Sequence, residues 1–157
     1  MKIDLVMIGK TDEKYLLEGI DKYLKRLKHY ISFKMTTIPD IKKTKNLSED
    51  QQKKLEGDQI LSQLQPGDHL VLLDENGKEF NSVGFAGFIE KKMIAGFKRI
   101  VFVIGGPYGF SDEVYKKANQ KISLSRMTFS HQMVRLFFVE QIYRAMTIQK
   151  NEPYHHQ

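Results

Sequence analysis

The sequence contains no cysteine. That excludes a disulfide framework, thiolate zinc sites and a cysteine nucleophile, and it gives mild support to a reducing, cytoplasmic setting. There is no run of about 18 apolar residues, so no membrane span is expected. The first ten residues carry an early lysine and a short apolar stretch ending at Gly9, with charged residues next and no small-residue cleavage site, so a secretory signal is not expected either. Internal repeats and low-complexity linkers are also missing, and one domain over residues 1–157 is the simplest organisation. Negative charge is in deficit: 19 Asp and Glu stand against 25 Lys and Arg, a net +6. Such a balance favours a polyanionic partner, because contact with phosphates releases counterions. On charge alone, a basic surface with no such partner is the commoner reading.

What is present is ordinary globular material, 41% apolar and 11% aromatic. A chain of this length buries roughly two thirds of its unfolded surface. Ile3 to Ile8 reads as a buried strand closed by Gly9. Leu16, Ile20, Tyr23, Leu24 and Leu27 recur at helical spacing, with charged residues on the opposite face. Phe33 to Ile38 is a second strand, stopped at Pro39-Asp40. Ile41 to Asn46 is a loop rich in lysine (Lys42, Lys43, Lys45). Ser48 with Gln51 has the pattern of a capping box opening a polar helix to about Leu64. His69 to Leu73 reads as a third strand, with Glu75-Asn76-Gly77-Lys78 as a turn behind it. Ser82 is expected to cap a helix that buries Phe85, Ala86, Ile89 and Met93 and ends near Gly96. Arg99 to Ile104 is a strand apolar on both faces, which suits helices above and below it. This alternation predicts an α/β fold with a mostly parallel sheet flanked by helices.

The last third carries the chemistry. A glycine-rich loop, Gly105-Gly106-Pro107-Tyr108-Gly109, follows the fourth strand, where open α/β sheets bind ligands. Glycine lets the backbone approach a ligand closely. The spacing is neither the dinucleotide fingerprint nor a P-loop, and the loop taken alone reads equally as a tight strand-to-helix turn. Ser111-Asp112-Glu113 opens a short helix, Ile122 to Leu124 a short strand, and Ser125 to Ser130 is irregular. A helix from about His131 to Ile148 follows, ~27 Å long. Its apolar residues, from Met133 to Met146, wrap nearly the whole circumference. Such a helix must be covered on all sides, either as a central core helix or by a homodimer contact.

Ile104 to Gly109, Leu124-Ser125-Arg126-Met127-Thr128-Phe129-Ser130-His131, Glu140-Gln141-Ile142-Tyr143-Arg144-Ala145 and Pro153-Tyr154-His155 occur in that order. The arrangement resembles the ribosomal RNA large subunit methyltransferase H family, of the SPOUT class, over essentially the whole chain. One departure is Ser130, where the family pattern has proline; serine can cap the helix that follows. The resemblance implies a SPOUT fold with a C-terminal trefoil knot, an exception to the rule against threaded chains. It implies S-adenosylmethionine as methyl donor, held by Leu73, Gly105 and the loop Leu124, Ser125, Arg126, Met127, Thr128 and Phe129, with no metal. It implies a homodimer in the cytoplasm acting on large-subunit (23S) rRNA within the assembled ribosome, at N3 of a pseudouridine.

That chemistry suits the residues. Adenine needs apolar walls, which Leu73, Leu124, Met127 and Phe129 supply, and main-chain groups, which the loops supply. Methyl transfer needs mainly in-line positioning. An imide nitrogen must lose its proton to become nucleophilic, so a base or a stabilising cation is needed. His131, Arg135, Glu140, Arg144 and His155 are candidates, with Tyr154 beside them. Arg144, His131, Tyr154 and His155 are carried forward as catalytic candidates. The histidines show no metal-ligand spacing.

Overall fold

The computed structural model describes residues 1–42 and 44–156. Along these, strand and helix alternate: β1 (Lys2–Ile8), α1 (Lys14–Leu27), β2 (Ser32–Ile38), a 3-10 turn (Thr44–Asn46), α2 (Glu49–Ser62), β3 (His69–Glu79), α3 (Ser82–Ile94), β4 (Arg99–Ile104), α4 (Asp112–Lys117), β5 (Gln120–Ser123) and α5 (Met133–Gln149). The five strands pair in the order β2-β1-β4-β3-β5, every neighbouring pair parallel. The fold is α/β, a parallel sheet with helices on both faces.

Strand alternation explains the layering. Ile100, Phe102 and Ile104 of β4 point into a core shared with Leu27 of α1, Phe85 and Ile89 of α3, and Phe138 and Ile142 of α5. Val101 and Val103, one residue out of phase, point into the opposite core with Ile60 of α2 and Val114 of α4. Successive helices therefore go to alternate faces. A strand buried on both sides has no polar face to present, hence its continuous apolar run. α5 lies against both α1 and α3. A Cβ at Gly19 would stand 3.1 Å from Leu136, so glycine lets α1 and α5 approach closely. Much of the apolar circumference of α5 is covered in this way, while Met133 and Phe137 remain exposed.

An ion cluster ties the end of the sheet remote from the glycine loop. Arg99 donates through Nε and Nη2 to the two carboxylate oxygens of Asp68, at 2.9 and 2.5 Å, and through Nη1 to Asp4 at 2.9 Å. Burial pushes the Asp68 carboxyl up, but hydrogen bonds from Arg99 and from the Gln65 amide, with the Arg99 charge, outweigh it and hold it below the usual range. A depressed folded-state pKa stabilises the fold above the unfolded value, near 3.9, and that contribution fades as pH falls through the folded value. Asp68→Asn is therefore expected to cost about 2 kcal/mol at pH 7. The gap between mutant and parent, followed by urea denaturation, should close progressively below about pH 4. An equal gap at pH 7 and pH 3 would contradict this role.

Three local expectations are corrected. The Glu75-Asn76-Gly77-Lys78 turn does not end the third strand: β3 runs on to Glu79. Both Leu73 and Lys78 register against Ile122 of β5, so the residues between them bulge out while pairing resumes beyond. The cap of α3 is Asn81, whose side chain accepts from the Gly84 amide at 2.7 Å. Ser82 instead turns its hydroxyl to Gln141 on α5. The lysine loop contains a 3-10 turn, with Lys42 and Lys45 exposed; Lys43 lies outside the described residues. The last helix begins at Met133 rather than His131. The capping box of α2 is present in both its hydrogen bonds, between Ser48 and Gln51.

Candidate functional site

At the C-terminal ends of β3 and β4 lies a cavity of about 490 Å³. Three segments distant in sequence form its walls: Leu73 with the bulge Asp74-Glu75-Asn76, Gly105 to Phe110, and Leu124 to Phe129 without Arg126. The glycine loop is a tight turn in which the Gly109 amide donates to the Gly106 carbonyl at 3.2 Å. Pro107 pre-sets the turn, and Gly109 takes φ +83, which L side chains rarely adopt. The Phe110 ring packs under Gly105 and meets Tyr115 edge-on at 5.7 Å. Tyr115 donates to Asp74 Oδ2 at 2.6 Å. Burial first, and the Asp74 carboxylate second, push that phenol up to about 12, so it stays a donor.

The third wall is held by its own serines. The Ser123 hydroxyl donates to the Ser125 carbonyl at 2.9 Å, and Ser125 Oγ accepts from the Met127 amide at 3.0 Å. Ser130 Oγ accepts from the Met133 amide at 3.0 Å. Serine thus stops the loop and starts the helix where the family pattern has proline. Phe129 packs on Phe137 of α5 at 5.2 Å. Of the eight residues expected to hold the donor, seven line this cavity. Arg126 does not: its guanidinium turns out to Glu79 at 2.7 Å, in an exposed ion pair of little energetic weight.

The four catalytic candidates divide. His131 lines the cavity. Arg144, Tyr154 and His155 gather instead along α5, outside it. Asn151, at φ +55, ends the helix, and the chain folds back. Arg144 donates through Nη2 to Glu140 Oε1 at 2.5 Å and through Nη1 to His155 Nδ1 at 3.1 Å. The Tyr154 hydroxyl donates to Glu140 at 2.9 Å and lies 3.2 Å from that of Tyr23. The Arg144 guanidinium sits 4.7 Å over the Tyr154 ring. Tyr30 donates to Glu152, which lifts its phenol to about 12.

The electrostatics of this group follow from these contacts. The hydrogen bond to Glu140 raises the Arg144 pKa despite burial, so its charge is permanent. Burial, then the contacts with Tyr23 and Glu140, raise the Tyr154 phenol. A guanidinium only donates, so His155 Nδ1 must accept, and a neutral ring then carries its proton on Nε2. That Nε2 is buried with no protein partner among the described residues.

Arg135, expected near the chemistry, is corrected. It is the bulkiest of the fully buried side chains, donating to Thr11 Oγ1 and to the Ile8 carbonyl, both at 2.8 Å. Burial lowers its pKa. It braces the loop after β1 against α5 and contributes nothing to a basic face. His69 is buried between Phe88 and Phe97. Among the described residues no group of His, Asp or Glu could hold a metal ion, and no helix is long and apolar enough to cross a membrane. Sequence reasoning missed Asp74, Tyr115, Tyr23 and Tyr30. Tyr23 reads only as part of the apolar face of α1, and the other three carry no signal beyond their residue type.

A family model described as predicted SPOUT methyltransferase matches residues 1–155. The chain belongs to the SPOUT methyltransferase family. Its relatives include the ribosomal RNA large subunit methyltransferase H of Parabacteroides distasonis, 66% identical over 157 residues and 100% of both chains. That of Christiangramia forsetii is 65% identical over 156 residues and 99% of both chains. That of Porphyromonas gingivalis strain W83 is 55% identical over 157 residues, again 100% of both. A SPOUT methyltransferase needs a pocket for a donor and a route for an acceptor; the cavity is a candidate for the first, and the Arg144 group, apart from it within one chain, for the second.

Proposed function

We propose that this protein transfers a methyl group from S-adenosylmethionine to N3 of a pseudouridine in large-subunit (23S) rRNA of the assembled ribosome, acting as a cytoplasmic homodimer. The observation that carries this reading is the convergence of Leu73, Gly105 and the 124–129 loop on one cavity. Those residues fit the donor. The glycine turn leaves backbone open to a ligand, Leu124, Met127 and Phe129 offer apolar walls for a purine, and Asp74 and Glu75 bring negative charge to a cationic molecule. Bound there, the donor supplies a methyl group on a positively charged sulfur.

The protein's part is to position and to stabilise charge. The permanent cation of Arg144 favours the imide anion formed as N3 releases its proton to water, and the methyl then passes to N3 with S-adenosylhomocysteine as the leaving group. His155 Nδ1 holds the Arg144 guanidinium in place, while its Nε2 is buried and not presented to an acceptor. In one chain these groups stand apart from the donor cavity, while Met127 beside the cavity and Met133 and Phe137 on α5 are exposed. A second copy, covering that apolar surface, would bring its tail to the cavity; this supports the homodimer. The whole chain, 1–157, then acts as one domain. The trefoil knot belongs to the same reading and rests on the family match alone. The net +6 charge and the exposed Lys42 and Lys45 support an rRNA partner.

The test has two arms. At a concentration of 100 times Kd, S-adenosylmethionine should stabilise the fold by about 2.7 kcal/mol, raising Tm by roughly 5 to 10 °C. Flavin and nicotinamide dinucleotides should not, as they would for a flavodoxin-like enzyme. Labelled methyl should then enter 23S rRNA of ribosomes that lack the modification, and mapping should place it on a pseudouridine. Donor binding without transfer to any ribosomal substrate would defeat the proposal, and no donor binding at all would leave only a ribosome-binding role.

A further inference from the structure

α2 is a polar helix that buries only three residues: Glu56, Gly57 and Ile60. A narrow docking stripe normally carries aliphatic side chains, yet here its centre is a glutamate only 2% exposed. Among the described residues Glu56 has no cationic partner in an ion pair, and its Oε1 has no hydrogen-bond partner. An ionised carboxylate in that position would be very costly. Burial, and then the nearby Asp40 carboxylate, raise its pKa against a hydrogen bond from Gln52, favouring the uncharged acid.

Where the carboxyl lies is the informative part. A Cβ built on Gly106 would overlap both of its oxygens. One residue on, a Cβ at Gly57 would overlap Ser111 Oγ, the cap of α4. Two consecutive residues of α2 therefore grip the two ends of the segment 106–111, whose Pro107, Tyr108 and Gly109 line the cavity. On the inner side Phe110 packs under Gly105. The turn is clamped between an aromatic ring and a buried polar head. A leucine would dock the helix as well and would spare the desolvation cost. A retained, unsatisfied polar group beside a cleft calls for a functional explanation.

We infer that Glu56 is a positioning residue for the donor loop: its buried carboxyl sets the path of Gly106, and so the backbone that Gly105 to Gly109 present to S-adenosylmethionine. This rests on the donor-pocket reading above. The consequence is a separation of stability from function. Glu56→Leu should keep or raise Tm yet weaken donor binding at least tenfold, with KM for the donor rising more than kcat falls. Glu56→Gln, equal in shape and able to donate and accept, should bind within about twofold of the parent, since Gln is an uncharged isostere with both hydrogen-bond roles.

The experiment is calorimetric titration of the full chain with S-adenosylmethionine, alongside thermal melts and donor kinetics. Parent-like affinity in folded Glu56→Leu overturns the inference, as does a loss equal in Glu56→Leu and Glu56→Gln. Gly105→Val reports on the underlying reading. Undiminished binding there removes the donor pocket and this inference with it. Lost binding there with full affinity in Glu56→Leu removes the inference alone. Should Glu56→Leu fail to fold, the contact is probed from its other side. Gly106→Ala should weaken donor binding, and Glu56→Ala in the same chain should restore part of it, a coupling that a double-mutant cycle measures. Additive effects in that cycle would also overturn the assignment.

Discussion

Gly105→Val should reduce the affinity for S-adenosylmethionine roughly a hundredfold, about 2.7 kcal/mol. A Cβ at Gly105 would stand 3.1 Å from two atoms of the Phe110 ring, tighter than ordinary contact. The side chain is thus aimed at the wall behind the loop. Phe110 is nearly buried and has little room to yield. Its ring is set against Tyr115, and Tyr115 is bonded to Asp74 across the cavity. Overpacking of this kind costs about 1–3 kcal/mol. It is relieved most cheaply by the loop itself, whose far side is open cavity. The displacement therefore falls on the backbone that faces the donor. Gly105→Ala, adding one methyl at the same tight distance, should lose about tenfold, in proportion to the smaller overlap. Calorimetry on samples with matched circular dichroism checks both. A folded Gly105→Val protein with parent-like affinity would show that the glycine loop does not hold the donor.

The framework of this fold was legible because parallel strands advertise themselves. Val101-Phe102-Val103-Ile104 has no polar face, and β4 is covered on both sides. The Ser48–Gln51 box was legible because both of its hydrogen bonds are local. The errors share a different cause. Glu75-Asn76-Gly77-Lys78 has turn composition, but β5, about forty residues further on, supplies the pairing that draws the strand onward past the bulge. Arg135 reads as surface because arginine is seldom buried; the carbonyl of Ile8 and the hydroxyl of Thr11 make its burial tolerable, and both come from the far end of the chain. Glu56 hides in a helix whose composition is solvent-like throughout. Asn81 and Ser82 are equally good caps on paper, and Gln141 of α5 decides between them by claiming the serine hydroxyl.

The same limit applies to the site. Nothing in composition or spacing says that Leu73, Gly105 and Leu124 meet; only the family resemblance did, and the cavity brings all three together. The resemblance offered Arg126 alongside its neighbours, and local geometry parts it from them, because Ser125 Oγ accepts the Met127 amide and Arg126 points outward to Glu79. The cluster on α5 was half legible. Glu140 and Arg144 are one helical turn apart and pair as such residues do. That Tyr154 and His155 return to join them depends on the left-handed residue Asn151, whose conformation no sequence pattern announces.

Deleting Tyr154 to Gln157 should abolish methyl transfer while sparing donor binding. The segment supplies two of the groups around Arg144. Without it the Nη1 contact to His155 and the aromatic face under the guanidinium are gone, though Glu140 still anchors Nη2. Turnover on ribosomes should fall at least a hundredfold, within the range that general acid–base and charge-stabilising groups contribute. Donor affinity should stay within about twofold, because none of the described residues in the deleted segment lines the cavity of its own chain. Arg144→Ala should match the deletion, and Arg144→Lys should not rescue it, since an ammonium cannot serve Glu140 and His155 in the same fixed fork. The arrangement between copies has its own signature. Truncated chains retain a donor cavity and lack a tail; Gly105→Val chains retain a tail and lack the cavity. If each site joins the cavity of one copy to the tail of its partner, co-refolding the two inactive proteins in equal amounts should regenerate one good site in each mixed dimer, roughly a quarter of parental activity. If cavity and tail act within one chain, the mixed dimer still contains no chain with both, and the mixture stays dead. Full activity in the truncated protein alone would remove the tail from the mechanism altogether.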